Sequence, residues 1–196
     1  FYFVSPKIEG RTLAELLANG RLTLPITLWI ARQVAEALAA LHESTGMQHA
    51  DVKPANILVS SEGHTTLIEL GFAHSPAEQR HWSSRPVLGT LAYIAPEAIT
   101  SSLSSQLSGD LYSLGVTLYE MICGELPFQA DSPAELIRMH RETKPNCIRL
   151  QKPETPKAVA SLVHRLLSKE AMRRPASAAA VAEELMRLEI ECFTCR

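Results

Sequence analysis

Residues 49–56 read His49-Ala50-Asp51-Val52-Lys53-Pro54-Ala55-Asn56, an octet with neither helical nor strand periodicity. Asp51 and Asn56 stand five positions apart on irregular backbone, a separation that lets both side chains converge on one point. An aspartate there can accept and orient a hydroxyl proton, and an amide oxygen can ligate a hard cation such as Mg²⁺. Lys53, two residues from Asp51, can neutralise charge on a transferring phosphoryl group. The same residue types also suit a polar loop that caps a helix end.

Upstream, Pro25 opens a helix expected to run to about Ser44, with Ile30, Val34, Leu38 and Leu41 forming one buried stripe. Thr12 to Ala18 reads as a shorter helix with Gly20 behind it, and Ser5 to Gly10 as a connector. Phe1-Tyr2-Phe3-Val4 has the aromatic and β-branched pattern of a strand cut from a larger sheet. Downstream, Ile57-Leu58-Val59 and Thr66-Leu67-Ile68 flank the turn Ser61-Glu62-Gly63-His64 and predict a small hairpin. The long segment from there to residue 95 is rich in Ser, His and Pro, and loops of that length inside a domain are usually functional.

From Asp110 onward the pattern is helical. Leu111 to Cys123 is apolar on nearly all sides, as a helix through the middle of a core must be. Gly124 and Pro127 stop it, and amphipathic helices follow at Pro133 to Arg141, Pro156 to Leu167 and Ser177 to Leu188. Ser177 is the expected N-cap of the last, with Glu183 and Glu184 on its solvated face. The fold class expected is mainly α (α+β overall): a helical bundle around a central buried helix, with short β-hairpins beside the site.

The chain has 196 residues, 46% hydrophobic and 20% charged, enough for one domain with a sizeable core. A net charge of -2 carries no basic excess, so neither a nucleic acid nor a membrane surface is an expected partner. Four cysteines are too few for a disulfide scaffold; Cys123 reads as a small buried hydrophobe. Cys192 and Cys195 have CxxC spacing without a second pair to complete a zinc site, which makes 191–196 a plain tail. No signal segment or long uncharged apolar run is visible, so a cytoplasmic location is expected.

Four further motifs follow the octet in order. They are Glu69-Leu70-Gly71, then Gly89-Thr90-Leu91-Ala92-Tyr93-Ile94-Ala95-Pro96-Glu97, then Asp110-Leu111-Tyr112-Ser113-Leu114-Gly115-Val116, then Arg173-Arg174-Pro175. With the octet resembling H-R-D-x-K-x-x-N, the series resembles the eukaryotic-type serine/threonine protein kinases, and the wording of residues 124–136 is closer to bacterial members. The resemblance implies a partial kinase domain over 1–190. Residues 1–10 would be the last small-lobe strand and hinge, 11–190 the large lobe, and 69–97 the activation segment. It implies ATP and Mg²⁺ as cofactors and a protein substrate.

Residue by residue, the resemblance implies Asp51, Lys53, Asn56 and Thr90 as catalytic, with Asn56 and Glu69 on the metal. Thr90 would bond towards Asp51 and Lys53, and Lys53 and Thr90 together imply serine/threonine specificity. Nucleotide contacts would come from Pro6, Ile8, Lys53, Asn56, Leu58 and Glu69, with Ser5 as gatekeeper. Pro6 has no N–H but keeps the carbonyl that contacts adenine. Arg174 would pair with Glu97, and His49 would be a packed structural residue.

The chain departs from the family's pattern in three ways. The Gly-rich loop, strand lysine and partner glutamate of a small lobe are not present, so residues 1–196 alone are expected to transfer no phosphate. Glu69 stands where the family has a metal-binding aspartate, one methylene shorter. Ala50 replaces the arginine that pairs with a phosphorylated activation loop, so phosphorylation at Ser83 or Ser84 is expected to activate little. Two other functions compete: a pseudokinase that binds nucleotide or scaffolds partners, and a small-molecule kinase of the aminoglycoside or choline type. The latter type carries H-G-D-x-x-x-x-N but lacks the segment ending in Ala95-Pro96-Glu97.

Overall fold

The computed structural model describes residues 7–75, 91–100 and 107–194. The expectations for Phe1–Val4, Ser5, Pro6, Ser83, Ser84, Thr90 and Cys195 therefore lie outside the described residues.

The fold is mainly α with one small sheet, as the sequence predicts. Its elements in order are β1 (Arg11–Thr12), α1 (Leu13–Ala18), α2 (Leu24–Thr45), β2 (Ile57–Val59), β3 (Thr65–Leu67), α3 (Pro96–Thr100), α4 (Ser108–Cys123), α5 (Pro133–Glu142), α6 (Ile148–Gln151), α7 (Lys157–Leu166) and α8 (Ala178–Thr194). The helix starts are chemically marked. Thr12 and Glu15 form a reciprocal capping box on α1, the Ser132 hydroxyl accepts from Glu135 N–H on α5, and the Ser177 hydroxyl accepts from Ala180 N–H on α8.

The core is built around α4, in which every residue from Asp110 to Tyr119 is buried. Gly115 has a packing reason: a Cβ there would sit 2.7 Å from Leu166 Cβ on α7. Gly124, at φ 80°, ends the helix in the left-handed region, its N–H donating to Glu120 O at 2.8 Å. Ile30, Val34 and Leu38 of α2 are fully buried, and α2 packs most extensively against α8 and also against α4 and β3. The α2–α8 seam carries a partly buried ion pair, Arg32 Nε to Glu189 at 3.0 and 3.1 Å.

The sheet is antiparallel in the order β1-β2-β3, with Ile57 opposite Leu67, Leu58 opposite Thr66, and Thr12 opposite Leu58. Two details differ from the sequence reading. The second hairpin strand begins one residue earlier, at Thr65, and β1 is a two-residue strand that exists only by pairing with β2. In addition, α8 runs to Thr194, so most of the segment set apart as a tail continues the helix, and Cys192 is half-buried on it. The six residues of α8 beyond the predicted end at Leu188 include Glu189, whose partner on α2 lies 157 positions away.

Candidate active site

The octet is a loop tied to the core helix before it does anything else. Asp110, in the first turn of α4, is 1% exposed. Its Oδ2 accepts from His49 N–H at 2.7 Å and meets His42 Nε2 at 2.8 Å, while Oδ1 accepts from Ala50 N–H at 2.8 Å. Those bonds hold Ala50 at φ 64°, left-handed backbone that costs an L residue about 1 kcal/mol. A buried carboxylate with three donors is satisfied and rigid, and the turn at Ala50 sends the chain towards Asp51.

His49 is fully buried. Its Nδ1 accepts from Asp51 N–H at 3.3 Å, so Nε2 carries the proton and donates to Ile68 O at 2.9 Å. The histidine thus ties the octet to the residue before Glu69, with both nitrogens engaged by backbone.

Asp51, 4% exposed, is held from two sides. Lys53 Nζ lies 3.0 Å from Oδ1 and 2.8 Å from Oδ2, and Asn56 Nδ2 donates to Oδ2 at 2.7 Å and to Asp51 O at 2.8 Å. Because Asn56 uses its amide nitrogen inward, Oδ1 is the atom it offers to a cation. A short 3₁₀ turn, Pro54–Asn56, leads straight into β2, and Ile68 N–H donates to Asn56 O at 2.9 Å. The arrangement fixes one carboxylate, one ammonium and one amide around a single point.

Three further predicted residues are among those described. Leu58 is half-buried on β2, two residues beyond Asn56, and Ile8 is 45% exposed. Glu69 is exposed, with backbone at φ 69° and ψ 58°, immediately before a 3₁₀ turn at Leu70–Phe72. A bridge between Gln48 and His74 closes the far side of this segment, with backbone bonds of 3.1 and 3.2 Å and the two side chains 2.8 Å apart. Sequence reading passed over His74, since it belongs to no ligand spacing; only the pairing of distant backbone reveals its role.

Two side-chain pairs lock the segment that follows. Arg174, its side chain fully buried, grips Glu97 with bonds of 2.5 and 2.7 Å and donates also to Ser108 O and Ser168 O. The motif pairing anticipated this contact. Tyr93 OH donates to Glu120 Oε2 at 2.7 Å, and Ser113 Oγ donates to Tyr93 O at 2.8 Å. Burial pushes the Glu120 carboxyl above its ordinary pKa, with the Tyr93 bond pulling the other way. Glu120 has no sequence signal, sitting as it does on a helix that is otherwise uniformly core. Beside it a cavity of about 800 Å³ reaches Lys53, Pro54 and Ala55 of the octet.

The family model described as protein kinase domain matches residues 1–186. Similar curated proteins include the probable serine/threonine-protein kinase pknA2 of Bifidobacterium longum, 34% identical over 189 residues, which are 95% of this chain and 25% of that protein. Serine/threonine-protein kinase PrkC of Bacillus subtilis is 29% identical over 175 residues, 89% of this chain and 27% of its own. Serine/threonine-protein kinase PknL of Mycobacterium tuberculosis is 39% identical over 132 residues, 67% of this chain and 33% of its own. The chain therefore spans about a quarter to a third of the length of these relatives. With the Asp51–Lys53–Asn56 triad and the Glu97–Arg174 pair in place, the chain belongs to the protein kinase domain family, alongside its bacterial serine/threonine members.

Proposed function

We propose that this chain is the large-lobe part of a protein kinase that transfers the γ-phosphoryl group of ATP to a serine or threonine hydroxyl of a protein. The observation that carries the reading is the buried Asp51 carboxylate, fixed by Lys53 and Asn56. Asp51 accepts the acceptor proton as the hydroxyl oxygen bonds to the γ-phosphorus, and the bond to the β-phosphate bridging oxygen breaks to release ADP. Lys53, 21% exposed, stands where it balances the charge of the transferring group.

Asn56 Oδ1 and the Glu69 carboxylate are hard oxygen donors suited to Mg²⁺, which takes one or two carboxylates together with nucleotide phosphates. When bound, that cation neutralises phosphate charge. Ile8 backbone, the Pro6 carbonyl and Leu58 are the proposed adenine contacts, and Thr90 the proposed bond to Asp51 and Lys53. The other phosphate contacts come, on this reading, from a small lobe outside these residues. The pseudokinase alternative rests on Glu69 and Ala50, and the relatives, each named a serine/threonine kinase, give it no support.

The test is phosphotransfer from radiolabelled ATP to a general protein substrate by the full-length protein. Turnover that falls about 10²- to 10⁴-fold in Asp51→Asn is expected. A wild-type protein without turnover, or a variant as active as wild type, overturns the proposal.

A further inference from the structure

The cavity beside the catalytic loop carries charges that phosphoryl transfer does not use. Its walls come from α1 and the turn after it, from Pro54 and Ala55, and from the last turn of α4. Lys53 belongs both to this cavity and to the Asp51 carboxylate, so the space opens beside the group that takes the acceptor proton. Leu17 and Met121 give it apolar contact area. A segment of polypeptide passing Asp51 is therefore offered a surface on this side.

Two further charges reach the same space, Arg21 and Glu120. They are not equivalent. The Glu120 carboxylate is occupied by the Tyr93 hydroxyl at 2.7 Å, and its burial disfavours the ionised form. Arg21 is exposed and makes no ion pair among the described residues. Its Nε lies 3.6 Å from where a Cβ on Gly124 would be, against the C-terminal end of α4, where the helix dipole favours a cation. Arg21 thus lines the cavity beside that helix end. The charge offered to an incoming segment is therefore positive.

We propose that Arg21 selects the acceptor segment by pairing with a carboxylate, an Asp or Glu side chain within a few residues of the phosphorylated hydroxyl. The proposal rests on the kinase reading above and names the substrate class of that same site. The planar guanidinium matches a carboxylate with two parallel hydrogen bonds, which a lysine cannot reproduce. An ion pair at a partly open wall supports a preference of about fivefold to tenfold.

The experiment uses the full-length protein and neutral acceptor peptides in which one Asp or one Lys is moved through the flanking positions. Two quantities are read: kcat/KM for phosphorylation, and affinity by fluorescence anisotropy for matched peptides with alanine at the acceptor. Wild type is expected to favour Asp over Lys at one position by about fivefold to tenfold. Arg21→Gln should remove that preference and Arg21→Glu invert it. Circular dichroism monitors folding of both variants, and Arg21→Gln decides alone where Arg21→Glu is unfolded. A wild-type preference for Lys at every position, which would give the cavity to Glu120, overturns the proposal. So does an Asp preference unchanged in Arg21→Gln. If no peptide is phosphorylated, the kinase reading fails, and the anisotropy data still decide the role of Arg21.

Discussion

The Asp110 carboxylate holds Ala50 in left-handed backbone, accepting its N–H at 2.8 Å from the first turn of the core helix. The same carboxylate takes the N–H of His49 at 2.7 Å. The loop of residues 49–56 is thereby a fixed projection of α4, which has the most completely buried length of helix in the described structure. Asp110→Ala leaves two backbone donors and His42 without this acceptor, and should destabilise the fold by about 3 kcal/mol. Ala50→Val places a β-branched residue at φ 64° and should cost about 1–2 kcal/mol. Urea unfolding followed by circular dichroism measures both; Ala50→Val as stable as wild type would contradict the strained geometry.

Gly115 is expected to tolerate no side chain. A Cβ 2.7 Å from Leu166 Cβ and 3.2 Å from the Leu166 carbonyl carbon forces α4 and α7 apart. Gly115→Ala should lose about 1–3 kcal/mol, despite the better helix propensity of alanine. The readout is a lower urea midpoint with an unchanged slope; a raised midpoint would show that α7 yields.

Arg174→Met should be among the most damaging substitutions, because it leaves the Glu97 carboxylate partly buried without its bidentate partner. The expected loss is about 3–5 kcal/mol. Glu97→Gln should lose less alone, and a double-mutant cycle should show strong coupling. Additive losses would mean that the two residues act separately.

His140 sets a pH dependence. Burial, and secondarily the charge of Lys169, hold its pKa down at about 4, below the ordinary 6.5. It packs against Tyr112, whose OH is 2.9 Å from Nδ1, and edge-on to Phe128. The folded state therefore favours the neutral imidazole, and this stability is fully present above pH 6.5 and lost as the pH falls towards 4. Across that window the loss amounts to about 3 kcal/mol. Wild type should lose this much relative to His140→Gln when both are unfolded at pH 7 and at pH 4. A constant gap between them would show that His140 is not the group.

Glu69 sits at φ 69°, a region that aspartate enters more readily than glutamate, on a stem one methylene longer than the family's aspartate. Glu69→Asp is expected to raise kcat of the full-length protein with stability kept or improved. A lower or unchanged rate would mean that the longer carboxylate already serves the metal.

The convergence of the candidate site residues was legible because it is local. Asp51, Lys53 and Asn56 lie within six residues, so a single loop brings them together whatever packs around it. The helices with one apolar stripe, such as α2, were equally plain, since periodicity is a short-range property. The helix ends were less so: α8 continues past Leu188, where Glu189 is buried against Arg32 of α2, and no cap in the local sequence announces that. The short α6 carries too few residues for a periodic signal.

By itself the sequence determined which polar residues share one loop, the order of the motifs, and the all-round apolar helix that must lie at the centre. The tertiary structure alone decided how that helix is used. Asp110 meets His49 and Ala50 across about 60 positions, Arg32 meets Glu189 across 157, and Tyr93 closes on Glu120 across 27. Such contacts have no local pattern, because each partner is polar, isolated and compatible with several environments until the apolar faces have packed. Burial then makes the pairing compulsory, since an unpartnered polar group in the core is costly. The loop of residues 49–56 is therefore readable as a list of residues, but its rigidity belongs to the buried carboxylate of Asp110.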